Sequence, residues 1–217
     1  MPTIKYEGHA CFLMTTDAGL RIMVDPYDTG AFGGSFGYGA ITDPADVVLI
    51  THEHRDHNGA GGIPGSPVVL RKTGTVEGIS FQTVEAPHGR PDGQDRGNIR
   101  IFAWEADGLR WCHLGDLGVP LTAGQVEDIG PVDVLFVPVG GHFTLDAAGA
   151  HQVAEQVQAR VSIPMHYRTE RTIFPIAGVE EFLAGAERVL QVGGAEWTVR
   201  ADTLPEVGTV VVLNPAN

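Results

Sequence analysis

The sequence predicts an α+β protein in which β-sheets are covered by helices. Three observations support this fold class. Short runs of β-forming residues recur between Gly, Pro and Asp turns, two later segments have the apolar periodicity of amphipathic helices, and three runs are apolar at nearly every position. Runs of the last kind are typical of strands that are buried on both faces of a covered sheet.

The predicted strands alternate with turn residues over most of the chain. They are Ile4–Tyr6, Cys11–Thr15, Leu20–Val24, Val68–Leu70, Ile79–Val84, Ile99–Trp104 and Leu109–Leu114. The most apolar runs are Asp46–Ile50, Val132–Val139 and Val161–Met165, and we expect these strands to be buried on both faces.

Two helices are predicted in the second half of the chain. In each segment the apolar residues follow i, i+3, i+4, i+7 spacing, which places them in one stripe. The stripes are Ala150, Val153, Ala154 and Val157 in the first helix and Val179, Phe182, Leu183 and Ala186 in the second. Thr144 suits the N-cap of the first helix, and Asp146 would interact favourably with the helix dipole.

Composition limits the class of protein and its partners. The 217 residues are 43% hydrophobic, and no linker, repeat or low-complexity block divides them, so residues 1–217 are predicted to form a single domain. The formal net charge of −13 repels phosphates, which disfavours nucleic acid and anionic membranes as partners. The expected partner is a small-molecule substrate, and a homo-oligomer stays open.

The expected location is the cytoplasm. No basic segment followed by a long apolar run opens the sequence, and no later segment reaches the roughly 18 apolar residues of a membrane span. Cys11 and Cys112 form neither a CxxC pair nor a disulfide framework, so both are expected to be thiols in a reducing compartment.

The stretch Thr51–Gly59, THEHRDHNG, concentrates imidazoles and carboxylates. A core could not easily satisfy so many polar groups, because each one buried without a partner costs about 1–3 kcal/mol. The helical zinc motif HExxH would need a second histidine where this sequence has Asp56. A loop that leaves a buried strand fits better, since His52 and His54 can then face one metal ion while Asp56 and His57 face a second.

Residues of the metal-binding type also follow other predicted strands. Asp116 comes shortly after Leu109–Leu114, His142 follows Val132–Val139, and His166 directly follows Val161–Met165. Strands fix the geometry of the loops that leave them, so ligands from distant parts of the chain can be collected along one sheet edge. We therefore expect the histidine cluster to include residues from these later segments.

The spacing HxHxDH at positions 52–57 resembles the signature of the metallo-β-lactamase superfamily of binuclear metallohydrolases. The segments Gly8–Ala10, Asp25–Tyr27, Gly140–Thr144 and Pro164–Tyr167 resemble the branch that includes a sugar-acid phosphate lactonase and many uncharacterised metal-dependent hydrolases. The resemblance covers most of the chain. It implies a four-layer αββα sandwich, in which two mixed β-sheets are flanked by helices and the site lies at one edge.

The resemblance also implies the ligand set and the cofactor. His52, His54 and His88 would bind one ion, Asp56, His57 and His166 would bind the other, and Asp116 would bridge them. Zinc suits these ligands best, and manganese or iron would also be accepted, so two divalent ions are expected. A water shared by the ions would lose its proton near neutral pH and act as the nucleophile. Members often have Asp after the third histidine, where this chain has Gly89.

The remaining candidates concern catalysis and substrate contact. Asp56, Asp116 and His142 are the catalytic candidates, with His142 either donating to the substrate or simply occupying a Gly-Gly turn. Predicted substrate contacts are His9, Phe32, Phe36, Tyr38, His142, Tyr167 and Arg168. The segment 30–39 lacks the spacing of a phosphate loop, so its aromatic residues are interpreted as a wall or lid, or as packing on the core.

The predicted function is metal-dependent hydrolysis of a small ester, lactone or phosphoester. One alternative is a phosphodiesterase or nuclease of the same fold, which the acidic composition disfavours. The other is a non-catalytic protein in which the metal is structural. A structural site is closed by its ligands, whereas two sites that share Asp116 leave room for water, so the catalytic interpretation is preferred.

Overall fold

The computed structural model describes residues 1–89 and 96–216. In chain order the strands are β1 Thr3–Gly8, β2 Cys11–Thr15, β3 Arg21–Val24, β4 Val47–Leu49, β5 Val68–Leu70, β6 Gly74–Val76, β7 Ile79–Pro87, β8 Asn98–Ala106, β9 Leu109–His113, β10 Val134–Pro138, β11 Val161–Met165, β12 Arg188–Gln191, β13 Glu196–Thr198 and β14 Thr209–Val212. The α-helices are α1 Ala123–Ile129, α2 Ala147–Gln156 and α3 Glu180–Ala184, and short 3-10 turns lie at Ala31–Gly34 and Ala60–Gly62.

The described strands form two mixed sheets, which confirms the predicted fold class. The six-stranded sheet has the order β13-β1-β2-β3-β4-β5, and the eight-stranded sheet has the order β12-β14-β11-β10-β9-β8-β7-β6. Hairpin-connected strands pair antiparallel, whereas β3 pairs parallel with β4, and β10 pairs parallel with both β9 and β11. Parallel pairing of the most apolar strands agrees with the prediction that they are buried on both faces.

Both faces of the six-stranded sheet are buried, and apolar residues therefore occupy consecutive positions along its strands. On β2, Phe12 and Met14 belong to the main core, while Cys11 and Leu13 pack with a second cluster that includes Tyr27. The two sheets meet in the main core, where the rings of Phe12 and Phe136 lie 4.5 Å apart. The two packed sheets thereby fix the position of the loops that leave their edges.

Helix α2 begins later than the sequence predicts. Its N-cap is Asp146, whose carboxylate accepts a hydrogen bond from the Gly149 N–H at 2.9 Å. The prediction of Thr144 as N-cap is wrong, because the Leu145 N–H still pairs with the Leu117 carbonyl and keeps the chain out of the helix there. The buried Thr144 hydroxyl donates to the Leu145 carbonyl instead.

Topology brings the polar strand ends to a common edge. Strands β1, β3 and β4 run in one direction within their sheet, as do β7, β9, β10 and β11 within theirs, because the strands between them are antiparallel. The residues that directly or closely follow these strands are His9, Asp25, His52, His88, Asp116, His142 and His166. Most of the candidate ligands therefore arise from carboxyl ends that point the same way.

Two expectations from composition concern the cysteines and membrane spans. Cys11 and Cys112 are both buried free thiols, as predicted. Within residues 1–89 and 96–216, no helix has the length and apolar character needed to cross a membrane.

Candidate metal centre

The first group of candidate ligands combines two histidines of the HxHxDH motif with one residue that follows β7 and one that follows β9. The donor atoms of His52, His54, His88 and Asp116 all lie within 4.8 Å of one another. His54 Nδ1 is 3.1 Å from His52 Nε2 and 3.2 Å from His88 Nε2. The structure thus brings together the three histidines predicted for one ion.

The second group lies beside the first and includes one residue that was not predicted as a ligand. Asp56, His57 and His166 come together as predicted, and His9 joins them, with all donor atoms within 4.8 Å. His57 Nε2 is 3.7 Å from Asp56 Oδ2. His9, His57 and His166 are almost completely buried, and Asp56 is 7% exposed.

Asp116 lies between the two groups. Its Oδ2 is 3.8 Å from His52 Nε2 and 3.6 Å from His88 Nε2, while the same carboxylate approaches His57 Nε2 at 3.2 Å and His166 Nε2 at 3.3 Å. The preceding turn is fixed by Gly115, whose N–H donates to His113 Nδ1 at 3.1 Å. One carboxylate therefore contacts members of both groups, which is the arrangement a bridging ligand requires.

The donor atoms fit divalent metal ions. Ligand atoms bound tetrahedrally at about 2.0–2.1 Å lie about 3.3 Å from one another, close to the spacings of 3.1 Å and 3.2 Å around His54. Among the described residues, the buried His57 Nε2 and Asp116 Oδ1 make no hydrogen bond, although they lie 3.2 Å from each other. Buried polar atoms normally have partners, so these two atoms point to a cation between them.

A hydrogen-bond chain behind the ligands sets their orientation. Asp25 is fully buried and accepts hydrogen bonds from the Thr51 N–H at 2.8 Å, the Thr51 hydroxyl at 2.6 Å and His57 Nδ1 at 2.9 Å. Thr51 Oγ1 is also 3.0 Å from His52 Nδ1. Because Nδ1 is engaged in both histidines, Nε2 faces the site in each.

Asp25 is a functional candidate that the sequence reasoning missed. Asp25–Tyr27 contributed only to the family resemblance, although Asp25 follows strand β3 in the way that His52 follows β4. Its position after a strand end was therefore the signal that could have found it.

His88 and His166 lack the hydrogen bond that orients the other ligand rings. The buried Nδ1 of each has no hydrogen-bond partner among the described residues, whereas the Nδ1 atoms of His52 and His57 are engaged. Gly89 follows His88 and offers no side-chain acceptor. The departure from the family pattern at Gly89 thus coincides with one of the two ligands whose Nδ1 lacks a partner among the described residues.

Several of these residues have left-handed backbone conformations. His9, Asp25 and His166 have φ values of 56°, 48° and 53°. Non-glycine residues in this region cost about 1–3 kcal/mol each and persist where the surroundings over-determine them. His166 N–H donates to the His9 carbonyl at 2.9 Å, which ties two of the three together.

Burial and mutual charge set the protonation of the candidate ligands. The pKa of His52 is lowered to about 3 and the pKa of His88 to about 4, chiefly by burial and in part by neighbouring histidines. Burial alone would raise the pKa of Asp116, but His166 and His57 hold it well below its usual value. Burial alone would lower the pKa of His57, but the Asp116 carboxylate raises it well above its usual value. The site therefore offers neutral imidazole nitrogen at His52 and His88 and ionised carboxylate oxygen at Asp116, which are donors that divalent metals take, and His57 would release its proton when an ion binds.

His9 holds Asp56, a member of the second group, by a hydrogen bond. Its Nε2 lies 3.1 Å from Asp56 Oδ2, and since an ionised carboxylate can only accept, the imidazole donates this hydrogen bond. The ring is fully buried, 4.2 Å from the His166 ring and 5.0 Å from the Phe36 ring. This placement is a correction to the prediction of His9 as a substrate contact, because Phe36 and His166 enclose the ring.

We expect His9→Ala to weaken metal binding by the second group about 10- to 100-fold, since residues that orient ligands typically contribute that much. Chelator competition on the loaded protein would resolve one weakened metal equivalent and one unchanged. His151→Ala, which removes an imidazole stacked on Phe182 in another part of the fold, is the control. Equal affinity in wild type and His9→Ala would show that His9 does not hold Asp56.

Comparison with known proteins identifies the family. Residues 3–166 match the beta-lactamase superfamily domain. The chain belongs to this superfamily. A UPF0173 metal-dependent hydrolase from Carboxydothermus hydrogenoformans is 32% identical, with 82% of this chain and 89% of that protein covered. One from Pyrococcus abyssi is 30% identical, with 78% and 86% covered.

The fold also matches a solved member of the superfamily. The crystal structure of a candidate zinc-dependent hydrolase of the metallo-beta-lactamase superfamily from Thermotoga maritima has a TM-score of 0.80 and 34% identity, and 98% of each chain is covered. Within the superfamily, this chain belongs to the UPF0173 metal-dependent hydrolase family. The resemblance predicted from the HxHxDH motif is confirmed.

A cavity of about 390 Å³ opens onto the candidate metal centre. Its lining includes the candidate ligands His54, Asp56, Asp116 and His166. The other lining residues are Phe32, Glu53, Arg55, Arg96, Phe143 and Phe174. Of these, only Phe32 was predicted as a substrate contact. Phe143 lies in the Gly140–Thr144 segment but was not predicted as a contact, and Arg96 and Phe174 lie in no motif that the sequence shows.

The other predicted substrate contacts do not line this cavity. Phe36, Tyr38 and Tyr167 are buried, and the Tyr38 hydroxyl is 2.8 Å from Thr169 Oγ1. Their placement supports packing on the core, which was the alternative for the aromatic segment. Arg168 is exposed, and its N–H donates to the Ala177 carbonyl.

His142 lies at the margin of the site. It is exposed, has a φ of 56°, and packs edge-on against Phe143 with ring centroids 4.3 Å apart. Phe143 lines the cavity, and His142 does not. Donation by His142 to a substrate therefore stays a prediction.

Proposed function

We propose that this protein is a metal-dependent hydrolase that uses two divalent ions, best matched by zinc, to cleave a small ester, lactone or phosphoester. One ion would be held by His52, His54 and His88, the other by Asp56, His57 and His166, with Asp116 shared. The observation that carries the proposal is the position of Asp116, whose carboxylate lies 3.2–3.8 Å from histidine nitrogens of both groups and also lines the cavity.

The side chains around the cavity have separable tasks in this proposal. When bound, the ions would supply Lewis acidity and a nucleophile that is active at neutral pH. Asp56, which His9 holds by a hydrogen bond and which lines the cavity, orients the attacking water by accepting a hydrogen bond. The aromatic residues that line the cavity, Phe32, Phe143 and Phe174, exclude bulk water from one side of it, which strengthens electrostatic interactions with the reacting group.

The open cavity favours catalysis over a structural metal. A structural site is closed by its protein ligands, whereas here His54, Asp56, Asp116 and His166 all contribute to the lining of an open cavity. Its volume of about 390 Å³ suits a small molecule. The net charge of −13 argues against a nucleic acid substrate. The UPF0173 relatives are metal-dependent hydrolases by name, which supports the same reaction class.

The test is metal analysis of the purified protein, followed by turnover assays with zinc, manganese or iron. We expect about two equivalents of metal per chain and hydrolysis of at least one class within a panel of esters, lactones and phosphodiesters. Chelation should abolish turnover, and added metal should restore it. Full loading with no turnover across the panel, combined with unfolding on chelation, would support a structural metal instead.

A further inference from the structure

Three phenylalanines from separate loops form one wall of the cavity. Phe174 lies 5.4 Å from Phe32 and 6.2 Å from Phe143 between ring centroids, edge-on in both cases. Phe32 is 45% exposed, so its ring is available to contact a bound molecule. A wall of this kind is suited to an apolar group of about the size of one ring.

Two arginines also line the cavity, and they differ in their partners. Arg55 is bound to Asp28 through Nε at 3.0 Å and Nη2 at 2.6 Å, so its charge is neutralised. Arg96 lies over the Phe143 ring, with Cζ 4.3 Å from the centroid. Within the part of the chain that the structure describes, Arg96 has no carboxylate partner.

The position of Arg96 is unfavourable for metal binding. Arg96 lines the same cavity as the candidate ligands Asp116 and His166. A cation beside a candidate ligand would repel a bound divalent ion, in a chain that otherwise carries a net charge of −13. An anionic group bound in the cavity would account for the position of Arg96, because a guanidinium binds carboxylate or phosphate groups through paired hydrogen bonds.

We propose that the cavity selects substrates in which an apolar, ring-sized group carries an anionic group, with Phe32, Phe143 and Phe174 contacting the apolar part and Arg96 binding the anion. This inference rests on the proposed hydrolase function and names its substrate class. The scissile bond would then lie toward Asp116 and His166, two of the four lining residues that belong to the candidate metal centre.

The first test is binding, so that it does not depend on turnover. Calorimetry on the metal-loaded protein would compare 3-phenylpropanoate with its neutral amide, 3-phenylpropanamide, and with acetate. We expect wild type to bind the carboxylate at least tenfold more tightly than the amide, and more tightly than acetate. Arg96→Gln should reduce the preference for the carboxylate to within about twofold, and Arg96→Lys should retain part of it. Arg200→Gln, which removes an exposed arginine paired with Asp202, should keep the full preference.

Two outcomes would overturn the inference. If Arg96→Gln keeps the full preference while its metal content and melting temperature match wild type, the metals and not Arg96 bind the anion. If wild type shows no preference for the carboxylate, or binds acetate as tightly as 3-phenylpropanoate, the cavity does not select this class. A preference that is present in wild type and lost in Arg96→Gln supports the inference even where the substrate panel shows no hydrolysis, so the two proposals fail separately.

Discussion

Replacing Asp116 with asparagine is expected to reduce kcat/KM by about a thousandfold or more, equivalent to about 4 kcal/mol of lost transition-state stabilisation. The substitution keeps the shape of the side chain but removes the charge that lies between the two ligand groups. The protein should still fold, because asparagine fills the same buried volume, and the contacts that lose their charge, such as the one of 3.2 Å between Asp116 Oδ1 and His57 Nε2, lie within the ligand cluster.

Three measurements check this prediction together: turnover on the best substrate of the panel, metal content, and circular dichroism. Asp128→Asn, on the exposed part of helix α1, removes an equal charge away from the site and should leave all three unchanged. Unchanged turnover in fully loaded Asp116→Asn would show that Asp116 is not shared between the ions. Loss of the native dichroism spectrum would instead assign Asp116 a role in folding.

The candidate site could be predicted largely from the sequence because its ligands follow strands with strong local signals. Strand β11 is five buried residues followed at once by His166, and strand β4 leads directly into the histidine motif. Parallel strands within each sheet then place such ends at one edge. The position of a residue that follows a strand end can thus be predicted without knowledge of the remaining contacts.

The cavity wall could not be predicted in the same way. Phe143 and Arg96 are 47 positions apart in sequence, and their contact depends on how two loops pack rather than on either loop alone. The placement of the aromatic residues in segment 30–39 could not be predicted for the same reason. Phe32 lines the cavity, whereas Phe36 is buried with its ring 5.1 Å from the Tyr27 ring. Aromatic residues four positions apart in an irregular segment carry no periodic signal that separates these outcomes.

Four strands and one helix were missed. Strands β6, β12 and β13 lie at sheet edges and have no fully buried residue, so they lack the apolar alternation that reveals a strand. Strand β14 is buried at all four positions, and its apolar run could have revealed it. Helix α1 buries only Ile129 among its residues, and so it has no apolar stripe. It does carry a capping box, in which Thr122 and Gln125 bond reciprocally, and the TxxQ spacing could have revealed its start.

Asp25→Asn is expected to affect both stability and metal binding. Asp25 accepts three hydrogen bonds, two from Thr51 and one from His57, and the amide nitrogen of asparagine cannot accept any of them. Whichever way the amide turns, at least one buried donor loses its acceptor. The free energy of unfolding should therefore fall by about 1–3 kcal/mol for each donor left unsatisfied.

The effect on the metal follows from the tautomer of His57. The carboxylate of Asp25 holds the proton on Nδ1 and thereby directs the lone pair of Nε2 toward Asp116, 3.2 Å away. Without this acceptor the ring is free to adopt the other tautomer, and metal affinity should fall about 10- to 100-fold. Asp46→Asn is the matched control, because Asp46 also accepts several hydrogen bonds, from Arg21, but is partly exposed. Denaturant titration and chelator competition should show a small change for Asp46→Asn and a large one for Asp25→Asn; equal effects would mean that burial of Asp25 beside His57 has no special role.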